Sequence, residues 1–118
     1  MNRFKEKRVL IVEDELLIAL LIEDFMMELG CEIVGTAARI EPAIAIAESA
    51  AIDFAVLDIN LAGKLSFPVA DVLRQRAIPF IFASGYGSAG LVEEYAGAAV
   101  LQKPFGVRDL ERVLTAIL

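Results

Sequence analysis

The stretch Val9-Leu10-Ile11-Val12-Glu13-Asp14-Glu15 decides how this chain is read: four apolar residues without alternation, then three carboxylates in a row. A short apolar run of this kind suits a strand covered on both faces, as in a parallel sheet with helices above and below. Acids at its C-terminal end then stand where such sheets open their binding crevice. Two further runs have the same character, Phe54-Ala55-Val56-Leu57 followed by Asp58 and Phe80-Ile81-Phe82-Ala83 followed by Ser84.

Outward from these runs, apolar stretches alternate with longer helical patterns, the signature of strand-helix-strand units. The pattern predicts strands at Arg8 to Val12, Glu32 to Thr36, Asp53 to Leu57, Pro79 to Ala83 and Ala98 to Leu101. Helices are predicted at Glu15 to Leu29, Ile40 to Ser49, Phe67 to Gln75, Ser88 to Tyr95 and Val107 to Ile117. Gly30 is placed to stop the first helix, Ser66 to cap the third, and Pro68 is tolerated in that helix's opening turn. The second strand is shorter and more polar and suits a sheet edge. Right-handed crossovers then favour an α/β fold with a doubly wound five-stranded parallel sheet, flavodoxin-like order 2-1-3-4-5, and helices on both faces.

A chain of 118 residues supports one core, and residues 1–118 are read as a single domain. No apolar run approaches the roughly 20 residues of a membrane-spanning helix, and no signal-peptide pattern precedes Glu13. One cysteine, Cys31, excludes an internal disulfide and suits a reducing compartment, so a cytoplasmic location is expected. The net charge of -6, with no cluster of Lys and Arg, argues against nucleic-acid binding. Histidine is absent, so phosphoryl or metal chemistry must run on carboxylates, hydroxyls and lysine.

In the expected topology the ends of strands one and three flank the point where the strand order reverses. Glu13, Asp14 and Asp58 should therefore meet in one crevice, and their repulsion calls for a cation. Mg²⁺ suits such a set because it takes one or two protein carboxylates, keeps waters and completes its shell with phosphate oxygens. Ser84 at the end of strand four and Lys103 after strand five supply a hydroxyl and an ammonium for phosphoryl oxygens, leaving Asp58 as nucleophile. Singly, each residue has an ordinary structural reading: Asp14 as a helix N-cap, Asp58 opening a loop, Ser84-Gly85 a turn, Lys103-Pro104 a solvated connection. Four strands delivering complementary groups to one end favour the joint functional reading.

At these residues the sequence resembles the response-regulator receiver family over nearly its whole length. The matching segments are Val12-Glu13-Asp14-Glu15, Asp58-Ile59-Asn60-Leu61, Phe82-Ala83-Ser84-Gly85-Tyr86 and Gln102-Lys103-Pro104-Phe105. The resemblance implies Asp58 as phosphoacceptor, Mg²⁺ (or Mn²⁺) held by Asp14, by Glu13 through water, by Asp58 and by the Asn60 carbonyl, Ser84 as the switch hydroxyl, Lys103 as the phosphate-binding lysine and a cis bond before Pro104. It also implies a regulator that assists its own phosphorylation and dephosphorylation and is not a turnover enzyme. The chain is similar to the subgroup nicknamed FAT GUY, with Ser84 for its Thr and with Tyr86 and Pro104 as further candidate switch residues. Where the wider family carries a switch aromatic three positions before the lysine, this chain has Val100.

Gly85, Gly87 and Gly90 weaken any helix after Ser84, which predicts a mobile segment ordered when Ser84 is drawn toward a phosphate. On the first helix, Ile18, Leu21, Ile22, Phe25 and Leu29 suffice to cover the sheet, so Leu16, Leu17, Leu20 and Met27 are expected to point elsewhere. By the resemblance, that surplus faces a sensor histidine kinase or phosphotransfer protein, with an unidentified protein target downstream. A flavin binder would want a glycine-rich loop where Glu13-Asp14-Glu15 stands, and a haloacid-dehalogenase-type phosphatase would want an acid at Asn60. The remaining alternative is a pseudo-receiver that binds a partner independently of phosphorylation.

Overall fold

Non-alternating apolar runs do build a sheet buried on both faces. The computed structural model describes residues 4–85 and 91–118. Strands β1 (Arg8–Val12), β2 (Glu32–Ala37), β3 (Phe54–Asp58), β6 (Phe80–Ser84) and β7 (Val100–Gln102) form one parallel sheet in the order β2-β1-β3-β6-β7. With the two-stranded hairpin β4 (Asn60–Leu61) and β5 (Lys64–Leu65) set aside, this is the expected 2-1-3-4-5 order. Helices α1 (Leu16–Glu28), α2 (Ile40–Ser49), α3 (Phe67–Gln75) and α4 (Val107–Ile117) cover the two faces. Alternate residues of each strand go to opposite faces: Leu10, Val12, Ala55 and Leu57 pack on the α2 and α3 side, while Val9, Ile11, Phe54 and Val56 pack on the α1 and α4 side.

The two central strands are pinned together at their N-terminal ends. Asp53 Oδ2 accepts hydrogen bonds from Arg8 N at 2.7 Å and Arg8 Nε at 3.1 Å, and the guanidinium holds the Asp53 carboxyl below the usual range. From there β1 and β3 run in register from Val9 opposite Phe54 to Val12 opposite Leu57. On the other side of β1 the register with β2 slips after Val9, and Gly35 falls where a Cβ would come within 2.9 Å of Ile46 Cδ1. Gly35 thus lets α2 lie close against the edge strand.

Three expectations need correction. The helix expected over Ser88 to Tyr95 is, among the described residues, a single 3-10 turn at Glu93–Tyr95; Tyr86, Gly87 and Gly90 lie outside the described residues. Tyr95 is buried, stacked on Phe67 at 5.4 Å between ring centroids and edge-on to Phe80 and Phe82. Ring packing therefore fixes this segment more strongly than helical propensity does, and the chain leaving it enters the sheet at Val100 instead of Ala98. Secondly, the Ser66 hydroxyl does not cap α3: it is buried and has no hydrogen-bond partner among the described residues, while the Ser66 carbonyl accepts from Val69 N and Ala70 N. Thirdly, the buried stripe of α1 is Ala19, Ile22 and Met26, and Leu21 is exposed. The short Ala19 lets the helix approach the sheet on that line, and the stripe is rotated from the one the larger side chains suggest. Gly30, with φ of 89°, ends α1 as expected.

Candidate functional site

Four strand ends converge at the C-terminal edge of the sheet. Glu13 follows β1, Asp58 closes β3, Ser84 closes β6 and Lys103 follows β7. Asp58, Ser84 and Lys103 border a crevice of about 560 Å³ lined also by Asp14, Asn60 and Gly85 among others, with Glu13 buried behind Lys103 and Asp58. Of the residues singled out from the sequence, Glu13, Asp14, Asp58, Asn60, Ser84 and Lys103 are thus brought together, and Tyr86 lies outside the described residues.

Backbone bonds set the side chains. Glu13 N donates to Ala37 O at 3.0 Å, extending β1 toward β2, and Lys103 N donates to Ser84 O at 2.8 Å, extending β7 along β6. The Lys103-Pro104 bond is cis, as the resemblance implied. Within this frame Glu13 is buried, 2% exposed, with both carboxylate oxygens engaged. Its Oε1 accepts from Lys103 Nζ at 2.8 Å and its Oε2 accepts from Glu15 N at 3.1 Å. The same ammonium lies 3.4 Å from Asp58 Oδ2. Ser84 is buried beside the crevice.

Asp14 is more exposed and does not cap α1; its Oδ2 accepts from Ala62 N at 3.2 Å, across the crevice mouth. Ala62 and Gly63 form the tip of the β4–β5 hairpin, with φ of 53° and 85°. Two consecutive positive φ angles in a two-residue loop make the turn whose twist matches paired strands. The Asn60 side chain accepts from Gly63 N at 3.0 Å. Ser66 N donates to Ile59 O at 2.8 Å, and the next pair inward is Asn60 with Leu65. Bonded and non-bonded pairs alternate in an antiparallel ladder, so the Asn60 carbonyl is turned out of the ladder. Neither the hairpin nor the Ala62 amide was read from the sequence. The only local signal is Gly63, since Ala-Gly lacks the side-chain signature of Asn-Gly.

The electrostatics follow from burial. The Asp58 carboxyl is pushed up to about 7, first by loss of water, then by hydrogen bonding and charge from Glu13, with Lys103 pulling the other way. Burial pulls the Lys103 ammonium down, but the hydrogen bond to Glu13 and the charges of Asp58 and Glu13 outweigh it, so its pKa is raised and it stays protonated. One carboxylate oxygen from each of Glu13, Asp14 and Asp58 lies within 4.8 Å of the others. A hard divalent cation fits this donor set: three carboxylates, a main-chain carbonyl free of the hairpin ladder and an open face for water.

An α/β sheet of this order with an acid cluster, a hydroxyl and a lysine at its switch point defines a receiver, and the sequence agrees. Residues 9–115 match the response regulator receiver domain, and the chain belongs to that family, which serves two-component signalling. It is 34% identical over 108 residues to the transcriptional regulatory protein PdtaR of Mycobacterium tuberculosis, covering 88% of this chain and 53% of that protein. The chain thus spans about half the length of the curated relatives it matches. The solution structure of SdrG from Sphingomonas melonis Fr1 superposes with a TM-score of 0.83 at 41% identity, covering 94% of this chain and 95% of that one. The solution structure of the BeF3-activated conformation of SdrG from Pseudomonas melonis Fr1 superposes with a TM-score of 0.81 at 41% identity, covering 95% of this chain and 96% of that one. No helix among the described residues is long and apolar enough to cross a membrane.

Proposed function

We propose that the chain is a phosphoacceptor of a two-component phosphorelay, in which Asp58 takes a phosphoryl group from the phosphohistidine of a sensor kinase. The observation that carries this is the placement of Lys103 Nζ 3.4 Å from Asp58 Oδ2 in a crevice that also gathers Glu13 and Asp14. An Asp58 oxygen forms the new bond to phosphorus as the bond from phosphorus to the donor imidazole breaks, giving an acyl phosphate and a free imidazole. Asp58 must be ionised to attack, and Lys103 favours that form. The ammonium and the Ser84 hydroxyl then stand ready for two phosphoryl oxygens as charge shifts toward Asp58. A Mg²⁺ or Mn²⁺ ion, held by Asp14, Asp58 and the Asn60 carbonyl with Glu13 acting through water, would neutralise the clustered acids and the incoming phosphate. The reaction consumes one phosphoryl group per cycle of signalling, which makes the protein a regulator and not a turnover enzyme.

The kinase or phosphotransfer partner is proposed to dock on α1. Leu16, Leu17, Leu20 and Leu21 are 72%, 80%, 46% and 42% exposed. An apolar groove of about 270 Å³ bounded by Ile18, Leu21, Pro104 and Phe105 continues this surface up to Lys103. A contiguous apolar patch marks a partner site, and this one ends at Lys103, whose ammonium lies 3.4 Å from the acceptor carboxylate. A downstream protein then reads the phosphorylated state, with the whole unit, residues 1–118, acting as a receiver in the cytoplasm.

The test is intact-mass measurement after incubation with Mg²⁺ and a small phosphodonor. One added phosphate is expected, lost in Asp58→Ala and with a chelator. Partner binding that is the same with and without phosphorylation would favour a pseudo-receiver instead.

A further inference from the structure

We infer that the backbone amide of Ala62 is a positioning group for the divalent cation, an inference that rests on the phosphoacceptor reading and deepens it. Asp14 is the most exposed of the three clustered acids, and an exposed carboxylate on a short side chain has no fixed orientation of its own. The bond from Ala62 N to Oδ2 supplies one, in a carboxylate that offers an oxygen within 4.8 Å of those of Glu13 and Asp58. That amide is available only because the hairpin turns back at Ala62-Gly63. The same hairpin turns the Asn60 carbonyl out of its ladder. Two ligands of the proposed cation site, one just after β1 and one in β4, are therefore set by a single turn.

Ala62 is an unfavourable residue for that turn. A non-glycine residue at positive φ is strained, and alanine lacks the local hydrogen bonds that let asparagine adopt it. The turn is thus held by its neighbours, Asp14 among them, and ion binding and hairpin formation support one another. Replacing Ala62 by asparagine creates the Asn-Gly pair favoured in such turns and keeps the amide. Replacing Gly63 by valine puts a β-branched side chain at φ of 85°, where the added Cβ meets nothing within 4 Å beyond its chain neighbours, so the strain of the change lies in the backbone.

The experiment is a Mg²⁺ titration followed by calorimetry and by amide resonances of wild type, Ala62→Asn and Gly63→Val, with melting measured separately in chelator. Ala62→Asn is expected to bind Mg²⁺ about threefold more tightly and Gly63→Val about fivefold or more weakly, and the wild-type Ala62 resonance should move with saturation of the ion. A purely structural turn would shift melting and leave the Mg²⁺ affinity alone. Either variant staying within about twofold of wild type, or a stationary Ala62 resonance, overturns the inference and leaves the phosphoacceptor reading intact. Should Gly63→Val fail to fold, Ala62→Asn and the wild-type resonance decide. Wild-type protein that binds no Mg²⁺ overturns both.

Discussion

Lys103 donates to the buried Glu13, Nζ to Oε1 at 2.8 Å, although the two residues are 90 positions apart in the chain. Their side chains are 16% and 1% exposed, so each depends on the other for charge compensation. Lys103→Ala leaves Glu13 buried and uncompensated beside Asp58. The expected cost in metal-free protein is about 3 kcal/mol, at the lower end for breaking a buried pair because the lysine is partly wet. Chemical denaturation in chelator measures it. Added Mg²⁺ should recover part of the loss, since a second cation can take over neutralisation; no loss at all would mean that the ammonium is dispensable to the acid cluster.

Stability of the metal-free protein should fall as pH rises from about 4 to about 7. Asp58 titrates near 3.9 in an unfolded chain and at about 7 when folded. Between those values the folded state holds a proton that the unfolded state has released, so raising the pH favours unfolding until Asp58 ionises in both states. Asp53 acts at the opposite end: its carboxyl is held low by Arg8, and the stability it contributes is lost only as pH falls through the folded value, below the usual range. Melting temperatures at fixed ionic strength should decline across the first window, and Asp58→Asn should flatten that decline. A slope unchanged by Asp58→Asn would assign the titration elsewhere.

Leu17→Lys and Leu20→Lys should slow phosphoryl transfer from a kinase by tenfold or so while leaving phosphorylation by a small donor nearly unchanged. Both positions lie on the outer side of α1, and surface substitutions of this kind cost within about 0.5 kcal/mol of folding stability. Parallel rate measurements with the two donors separate docking from chemistry. Equal slowing of both would make the α1 surface a support of the crevice.

Tyr95 offers a graded test of the ring cluster. Its hydroxyl donates to Asp71 Oδ1, the Arg74 guanidinium lies 4.0 Å above its ring, and burial together with Asp71 pushes the phenol up to about 12. Tyr95→Phe keeps the stacking and should cost about 1 kcal/mol, the size of one hydrogen bond. Tyr95→Ala opens a cavity among Phe67, Phe80 and Phe82 and should cost about 3 to 5 kcal/mol. Similar costs for both would place the stabilisation in the hydroxyl.

The legible parts of this protein are those where one signal dominates. Leu10, Val56 and Ile81 sit in runs with no polar interruption, and such runs have one inexpensive home, a sheet covered on both sides. The site followed from them, because Asp58 and Ser84 close such strands, Lys103 follows the neighbouring β7, and all three share one end of the sheet. What the sequence does not display is what depends on distant packing. Tyr95 reads as the end of a helix until its ring meets Phe67, and Ala19 looks too small to define a buried stripe until α1 lies close to the sheet. The bond from Ala62 to Asp14 is made by a main-chain amide, which every residue but proline possesses, so no residue type announces it.

The Arg8–Asp53 pair, at the end of the sheet remote from the crevice, acts as a vernier for the chemistry. Side chains along a strand alternate with a period of two, so the distance from Asp53 to Asp58 fixes which way the acceptor faces as well as how far it reaches. With the anchor kept, deleting one residue between Phe54 and Leu57 would shorten the strand by about 3.3 Å and turn the acceptor toward the opposite helical layer. The parity of a five-residue step, set at the foot of the strand, thereby selects the compartment in which the carboxylate meets its phosphoryl donor.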